Sequence, residues 1–143
     1  MKRILIMLLT MGLLSNLYAQ NTVVPDERLS SRFSEERIQS WISNSPSLIE
    51  LKNFEVENGY RIESLPEEKL ADLPSLRVLD TSTKQAGEVV SNINEQEFNL
   101  YMYYFDRKFD SDVYYRIGNT NKVLIIPSSQ KFTEMYNESR DYE

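Results

Sequence analysis

The stretch from Asp112 to Ile126 constrains this chain more than any other. Asp112 to Ile117 alternates apolar and polar side chains, and Lys122 to Ile126 is a compact apolar run closed by Pro127. Gly118-Asn119-Thr120-Asn121 between them has the composition of a turn. Pairing Ile117 with Lys122 puts Val113, Tyr115, Leu124 and Ile126 on one face, and Tyr114, Arg116, Val123 and Ile125 on the other. Both faces are then substantially apolar, so the hairpin belongs in the middle of the fold with cover on each side. The chain has no cysteine, so packing alone must supply that cover. One core of a single domain is enough for it at this length.

The remaining elements supply candidates for the cover. Ser34 reads as an N-cap, with Glu35 and Glu36 in the first turn where the helix dipole favours negative charge. Phe33 and Ile38 have hydrophobic-staple spacing, and Ile38, Trp41 and Ile42 share a face, giving a helix over 34–43 with Trp41 as a core anchor. Ser45-Pro46 is a second start signal. The segment that follows reads either as a helix over 46–57 stopped by Asn58-Gly59, or as a hairpin setting Phe54 and Val56 against Tyr60 and Ile62. The start and stop residues favour the helix.

Tyr60 to Leu65 reads as a strand. Pro66-Glu67-Glu68 opens a short helix to about Leu73, which Pro74 ends. Leu76, Val78 and Leu79 suggest a brief strand, residues 80–87 a polar loop, and Glu88 to Ile93 a further strand. Phe98 to Phe105 is almost wholly aromatic or apolar and reads as a strand with Phe98, Leu100, Met102 and Tyr104 on one face and Asn99, Tyr101, Tyr103 and Phe105 on the other. Ser128 or Ser129 caps a last helix whose Phe132, Met135 and Tyr136 form a stripe fit to dock on the sheet. The expected fold class is α+β: N-terminal helices, a largely antiparallel sheet of about four to five strands, and a C-terminal helix packed on it.

The N-terminus carries the pattern of an export signal. Lys2 and Arg3 precede an apolar run from Ile4 to Leu14, and Leu17-Tyr18-Ala19 offers a small-residue cleavage site before Gln20. The run is well short of the ~20 residues needed to span a bilayer. The expected organisation is a secretory signal peptide over 1–19, a flexible lead-in over 20–33, a single domain over 34–137 and a frayed tail over 138–143. Localisation follows as periplasmic or secreted, with no stable membrane anchor after cleavage. Loss of Lys2 and Arg3 leaves 14 basic and 22 acidic residues, a net charge of −8. That balance weighs against nucleic acid, whose phosphates need Lys and Arg, and against anionic lipid. The chain also lacks histidine, which removes the commonest general base and zinc ligand.

Several constellations remain. Tyr101, Tyr103, Tyr104, Tyr114 and Tyr115 crowd into a short stretch with Phe98, Phe105 and Phe109. Most such rings fill cores, but tyrosine is also enriched at interfaces. Asn99 marks the face of Tyr101 and Tyr103 as the more polar one, so these two are the expected exposed rings. The candidate partner-binding residues are Tyr101, Tyr103, Phe105 and Tyr114. Asp106, Asp110 and Asp112 have the short spacing of calcium ligands, yet Arg107 and Lys108 sit among them and the glycine and distal glutamate of an EF-hand loop are missing, so a solvated turn is the better reading. Glu55 with Glu57, Glu67 with Glu68, and Glu95 with Glu97 are acid pairs of the kind that could serve glycoside hydrolysis across a cleft, or plain surface acids. Ser128-Ser129 with Lys131 suggests a Ser/Lys dyad, but helix capping explains those serines without further assumption.

The leader ending Tyr18-Ala19-Gln20 carries a resemblance, as do Asn53-Phe54 with Asn58-Gly59-Tyr60-Arg61-Ile62, Leu65-Pro66-Glu67-Glu68-Lys69, and Tyr115-Arg116-Ile117-Gly118-Asn119-Thr120 leading into Lys122-Val123-Leu124-Ile125-Ile126. Over most of the mature chain the layout resembles small exported proteins of Bacteroidota-type bacteria. The resemblance implies export and carries no activity. The expected function is an exported, non-catalytic interaction module or accessory subunit acting through an aromatic-rich sheet surface. It would need no cofactor or metal, and its partner would be another envelope or secreted protein. The alternatives are a carboxylate-dependent hydrolase of glycan or peptidoglycan, with two acids facing across a cleft, and a small-ligand or glycan binder with an open, tyrosine-lined groove.

Overall fold

The structure, a computed structural model, describes residues 23–141. The leader and its cleavage site lie outside the described residues. Three helices, α1 (Glu35–Asn44), α2 (Pro46–Asn58) and α3 (Ser129–Arg140), accompany six strands: β1 (Arg61–Ser64), β2 (Arg77–Asp80), β3 (Gln85–Val89), β4 (Tyr103–Tyr104), β5 (Val113–Arg116) and β6 (Lys122–Ile126). The fold is α+β, as the sequence indicates. The strands form two antiparallel sheets of three, β1-β6-β5 and β3-β2-β4, where a single sheet of four to five was expected.

The hairpin of β5 and β6 has the register read from its sequence. Arg116 faces Val123, and the Ile117 N–H donates to the Lys122 carbonyl at 3.0 Å. Beyond it Gly118 takes φ +54°, and a Cβ there would lie 2.0 Å from the Ser91 carbonyl oxygen, so only glycine fits. Strand β6 is central, between β1 and β5. Leu124 and Ile126 join Leu76, Phe98, Leu100 and Tyr115 in the main core, while Val123 and Ile125 pack with Leu70 and partly buried Leu65, Leu73 and Tyr114 on the opposite face. Cover on both faces is what the continuous apolar run demands.

The helices begin and end where their capping residues place them. The Ser34 hydroxyl accepts from the Arg37 N–H. Ser45 makes no side-chain cap, so Pro46 at the first helical position marks the start of α2. The segment over 46–57 is thus helical. Gly59 ends it with φ −74°, an ordinary value; glycine is needed here because a Cβ would meet the Glu55 carbonyl oxygen at 2.3 Å. The Phe132 and Tyr136 rings of α3 meet Phe54 of α2 at centroid distances of 5.6 and 5.3 Å, so the aromatic stripe of the last helix finds α2.

Four expectations are corrected. The stretch from Val23 to Phe33 is docked rather than flexible: residues 27–31 form a 3₁₀ turn capped by Asp26, Leu29 is fully buried, and Asn53 of α2 holds the Asp26 N–H and the Val24 carbonyl at 2.8 Å each. The short helix after Pro66 contracts to a 3₁₀ turn over Glu67–Lys69, and the strand expected from Glu88 to Ile93 lies earlier, at β3. Most consequentially, Phe98 to Phe105 is not one strand. Asn99 accepts from the Tyr101 N–H and donates to the Arg28 carbonyl and the Ser31 hydroxyl, which folds Leu100–Met102 into a 3₁₀ turn. A side chain that bonds its neighbouring backbone competes with the sheet ladder, and only Tyr103 and Tyr104 remain as strand. The two sheets are stitched where the Leu76 N–H donates to the Arg116 carbonyl and the Arg116 N–H to the Pro74 carbonyl, both at 2.8 Å.

Candidate functional site

Loss of strand alternation redistributes the tyrosines. Tyr101, expected at the surface, is 2% exposed in a cluster with Leu29, Ile38, Ile49 and Val56. Tyr103 stacks on Phe98 with centroids 4.9 Å apart, and with Phe105 it packs partly buried on the main core. Tyr114 lies on the other face of β5, among Leu65 and Leu73. The four expected partner-binding residues are therefore divided among three hydrophobic clusters.

Tyr101 instead anchors a buried ionic hub. Glu55 on α2, 7% exposed, accepts from the Tyr101 hydroxyl at 2.5 Å, the Lys52 ammonium at 2.7 Å and the Arg107 guanidinium at 3.0 Å. Burial, the largest single influence, pushes the Glu55 carboxyl up; Lys52, Tyr101 and Arg107 together outweigh it, and the group stays below the ordinary glutamate range. Burial and the adjacent carboxylate push the Tyr101 phenol well above the ordinary tyrosine range. Glu55 is thus an ionised carboxylate with donors on both oxygens. It is a brace, and a poor proton acceptor.

The hub fixes the loop over 105–112. Arg107 turns inward, lies over the Phe132 ring at 4.2 Å and donates to the Gly59 carbonyl at 3.3 Å. The carbonyls of Lys108 and Phe109 accept from the Ser129 and Gln130 N–H groups that open α3, at 2.8 and 3.1 Å. Asp112 accepts from the Ser128 N–H at 2.9 Å, Lys131 at 3.2 Å and Arg61 at 3.4 Å. Burial raises its carboxyl, but these donors outweigh it and hold the group below the usual aspartate range. Of the three closely spaced aspartates, Asp112 anchors the loop to the helix, and the Asp110 side chain accepts from the Ser111 hydroxyl; among the described residues no set of three acids converges as a metal site. Ser128 caps α3 by accepting from the Lys131 N–H, and the Lys131 ammonium goes to Asp112.

The outer side of this loop borders an open groove of ≈ 550 Å³ between the two sheets. Arg77, Ala86 and Tyr104 line it from β2, β3 and β4; Val113 and Tyr115 line it from β5, together with Pro74 and Ser75 before β2 and Asp106 and Lys108 from the loop. Arg77 faces Val89 and Tyr104 across the sheet, and its guanidinium is pinned to the Gly87 carbonyl at 2.9 Å. The Tyr115 oxygen accepts from the Asp106 N–H at 2.8 Å, and burial is the main cause that pushes its phenol up. Phe109, next in the chain to Lys108, is 75% exposed on a loop whose backbone is tied down. Tyr104 and Tyr115 were among the clustered rings, but the cross-sheet pairing with Arg77 that gives Tyr104 this position has no local signal in the sequence.

Members of two of the acid pairs are held by partners of their own. Glu55 is in the hub while Glu57 lies 3.8 Å from Arg28; Glu95 pairs with Lys122 and Glu97 accepts from Asn94. Among the described residues no helix is long and apolar enough to cross a membrane. In comparisons with known proteins, no family model, curated protein or solved structure matches this chain.

Proposed function

We propose that this chain is an exported, non-catalytic interaction module that binds another envelope or secreted protein through the groove between its two sheets and the adjoining Phe109 loop. The observation that carries this reading is the contrast within one loop: Arg107 is consumed by the interior, while Lys108 and Phe109 are held outward by a backbone fixed to α3. An exposed aromatic beside tyrosines and unspent donors, on a backbone that need not be ordered on binding, is what a recognition surface requires. The hydrolase reading finds less support. One carboxylate, Asp106, lines the groove. Among the described residues Asp26, Glu55, Asp80 and Asp112 are displaced downward from the ordinary carboxyl range, whereas a general acid for glycoside cleavage needs a carboxyl displaced upward.

Export through the leader over 1–19 belongs to the same proposal, and N-terminal sequencing of the product recovered outside the cytoplasm should begin at Gln20. The groove is tested by affinity capture from envelope extracts of the producing cell. Mature protein should recover a stoichiometric partner, and both Tyr104→Ala and the groove-filling Ser75→Trp should lose it while keeping the wild-type melting temperature. Capture that is indifferent to both substitutions would refute the assignment. A second reading, a small-ligand binder, is favoured by the size of the groove, which falls within the range of small-molecule sites. It predicts a rise in melting temperature with some member of a glycan panel.

A further inference from the structure

We infer that the groove accepts an extended acidic segment of polypeptide, with its carboxylates on Arg77 and Lys108 and its backbone along the free edge of β3. This rests on the groove being the binding surface, and it names what that surface selects.

The donor and acceptor inventory points to acidity. Arg77 spends one N–H on the Gly87 carbonyl, and the rest of its fork has no partner among the described residues; neither does the Lys108 ammonium. The Tyr115 hydroxyl accepts from Asp106 and retains its own proton for donation. Asp106 is the one carboxylate in the lining. Two cations against one acid give this groove the opposite sign to a chain of net charge −6. An acidic ligand is thus repelled by most of the molecule and drawn to this spot, which gives orientation as well as attraction. Pinning of the Arg77 guanidinium also lowers the ordering cost of a bidentate carboxylate contact.

The sheet order selects polypeptide over carbohydrate. Ala86 lines the groove and belongs to β3, an edge strand whose Gln85, Ala86, Glu88 and Val89 are all exposed. A peptide in the groove can pair its main chain with that edge, as added strands do, and an apolar side chain can meet Phe109. An oligosaccharide could use the cations and rings but not the edge.

The test measures binding of two fluorescent probes of matched charge, a Glu/Asp-rich peptide and an oligogalacturonate, to the mature protein. The peptide should bind, weaken as NaCl is added, and lose about tenfold or more in Kd for Arg77→Glu combined with Lys108→Glu. The oligogalacturonate should bind about tenfold more weakly than the peptide. The milder Arg77→Gln, Lys108→Gln pair, checked for a wild-type melting temperature, separates lost charge from lost fold and should give a smaller loss in the same direction. Unchanged peptide affinity in both pairs overturns the site, and equal or tighter oligogalacturonate binding overturns the peptide assignment. If partner capture depends on Tyr104 but the acidic peptide does not bind, the groove stands and this inference falls. If capture ignores both Tyr104→Ala and Ser75→Trp, both fall.

Discussion

Two polar clusters lie on opposite sides of the loop over 105–112 and use the same residue types to opposite ends. Inside, Arg107 and Lys52 meet Glu55 with a tyrosine hydroxyl, and both carboxylate oxygens are satisfied. Outside, Arg77 and Lys108 share a groove with tyrosines and a single acid, and most of their donors are unspent. The difference shows how to separate structure from recognition in a chain without a catalytic motif. A buried network built round a satisfied carboxylate does its work within the fold, and removing that carboxylate strands its donors. An open donor set contributes little to the isolated fold and is free to meet a ligand. Substitution should therefore cost stability on the inner side and binding on the outer.

The largest effect is expected at Glu55. Glu55→Ala strands two cations and a phenol in the interior and should lower unfolding free energy by about 3–5 kcal/mol in chemical denaturation. A loss below about 1 kcal/mol would erase the distinction drawn between the clusters, since exposed ion pairs contribute about that much. Arg107→Met comes next. It keeps an apolar stem over Phe132 and leaves Glu55 with Lys52 and Tyr101, so about 1–3 kcal/mol is expected. Combining the two should give much less than the sum, because they remove one shared contact.

Asp112 stands between the extremes, with a side chain 15% exposed and three donors, the Ser128 N–H, Lys131 and Arg61. Asp112→Ala should cost about 1–2 kcal/mol and loosen the end of the loop that carries Phe109. Its carboxyl, like that of Glu55, sits below its ordinary value in the fold. Their stabilisation is therefore complete above the unfolded pKa values, about 3.9 and 4.3, and is lost as pH falls through the lower folded ones. Melting temperature should be insensitive to these groups near neutrality and fall on acidification below about pH 4. The Asp112→Ala variant should show a shallower fall, and an identical acid limb in variant and wild type would remove Asp112 from the account.

What the sequence discloses about the two clusters differs for physical reasons. Local signals are legible: Ser34 and Pro46 start helices, Gly59 stops one, and the two-faced apolar pattern of Val113 to Ile126 yields both the register and the double cover. The misreading of Phe98 to Phe105 has one source, Asn99. Its amide meets Arg28 and Ser31, some seventy residues earlier in the chain, and no periodicity encodes a partner that distant. That single turn buries Tyr101 beside Glu55 and leaves Met102, expected to share a face with Phe98, 52% exposed. The groove was hidden for the same reason, because the pairing of Arg77 with Tyr104 joins strands separated by the β3 hairpin and two 3₁₀ turns. Residue types that could bind were visible in the sequence, but which of them converge is decided by tertiary pairing.

The smallest effect on stability is expected where the binding effect is greatest. The Arg77 side chain is exposed, its one internal bond is to the Gly87 carbonyl, and its place in β2 depends on backbone pairing with β3 and β4. Arg77→Gln keeps a side chain able to reach that carbonyl, so unfolding free energy should change by no more than about 0.5 kcal/mol, as for surface substitutions in general. Stability and partner capture should therefore move independently here, whereas at Glu55 any loss of capture should follow loss of fold. If Arg77→Gln instead destabilised the protein by an amount comparable to Arg107→Met, the guanidinium would be bracing the second sheet. The groove would then be a seam of the fold with no donors to spare for a ligand, and the separation between inner and outer clusters would collapse from its outer side.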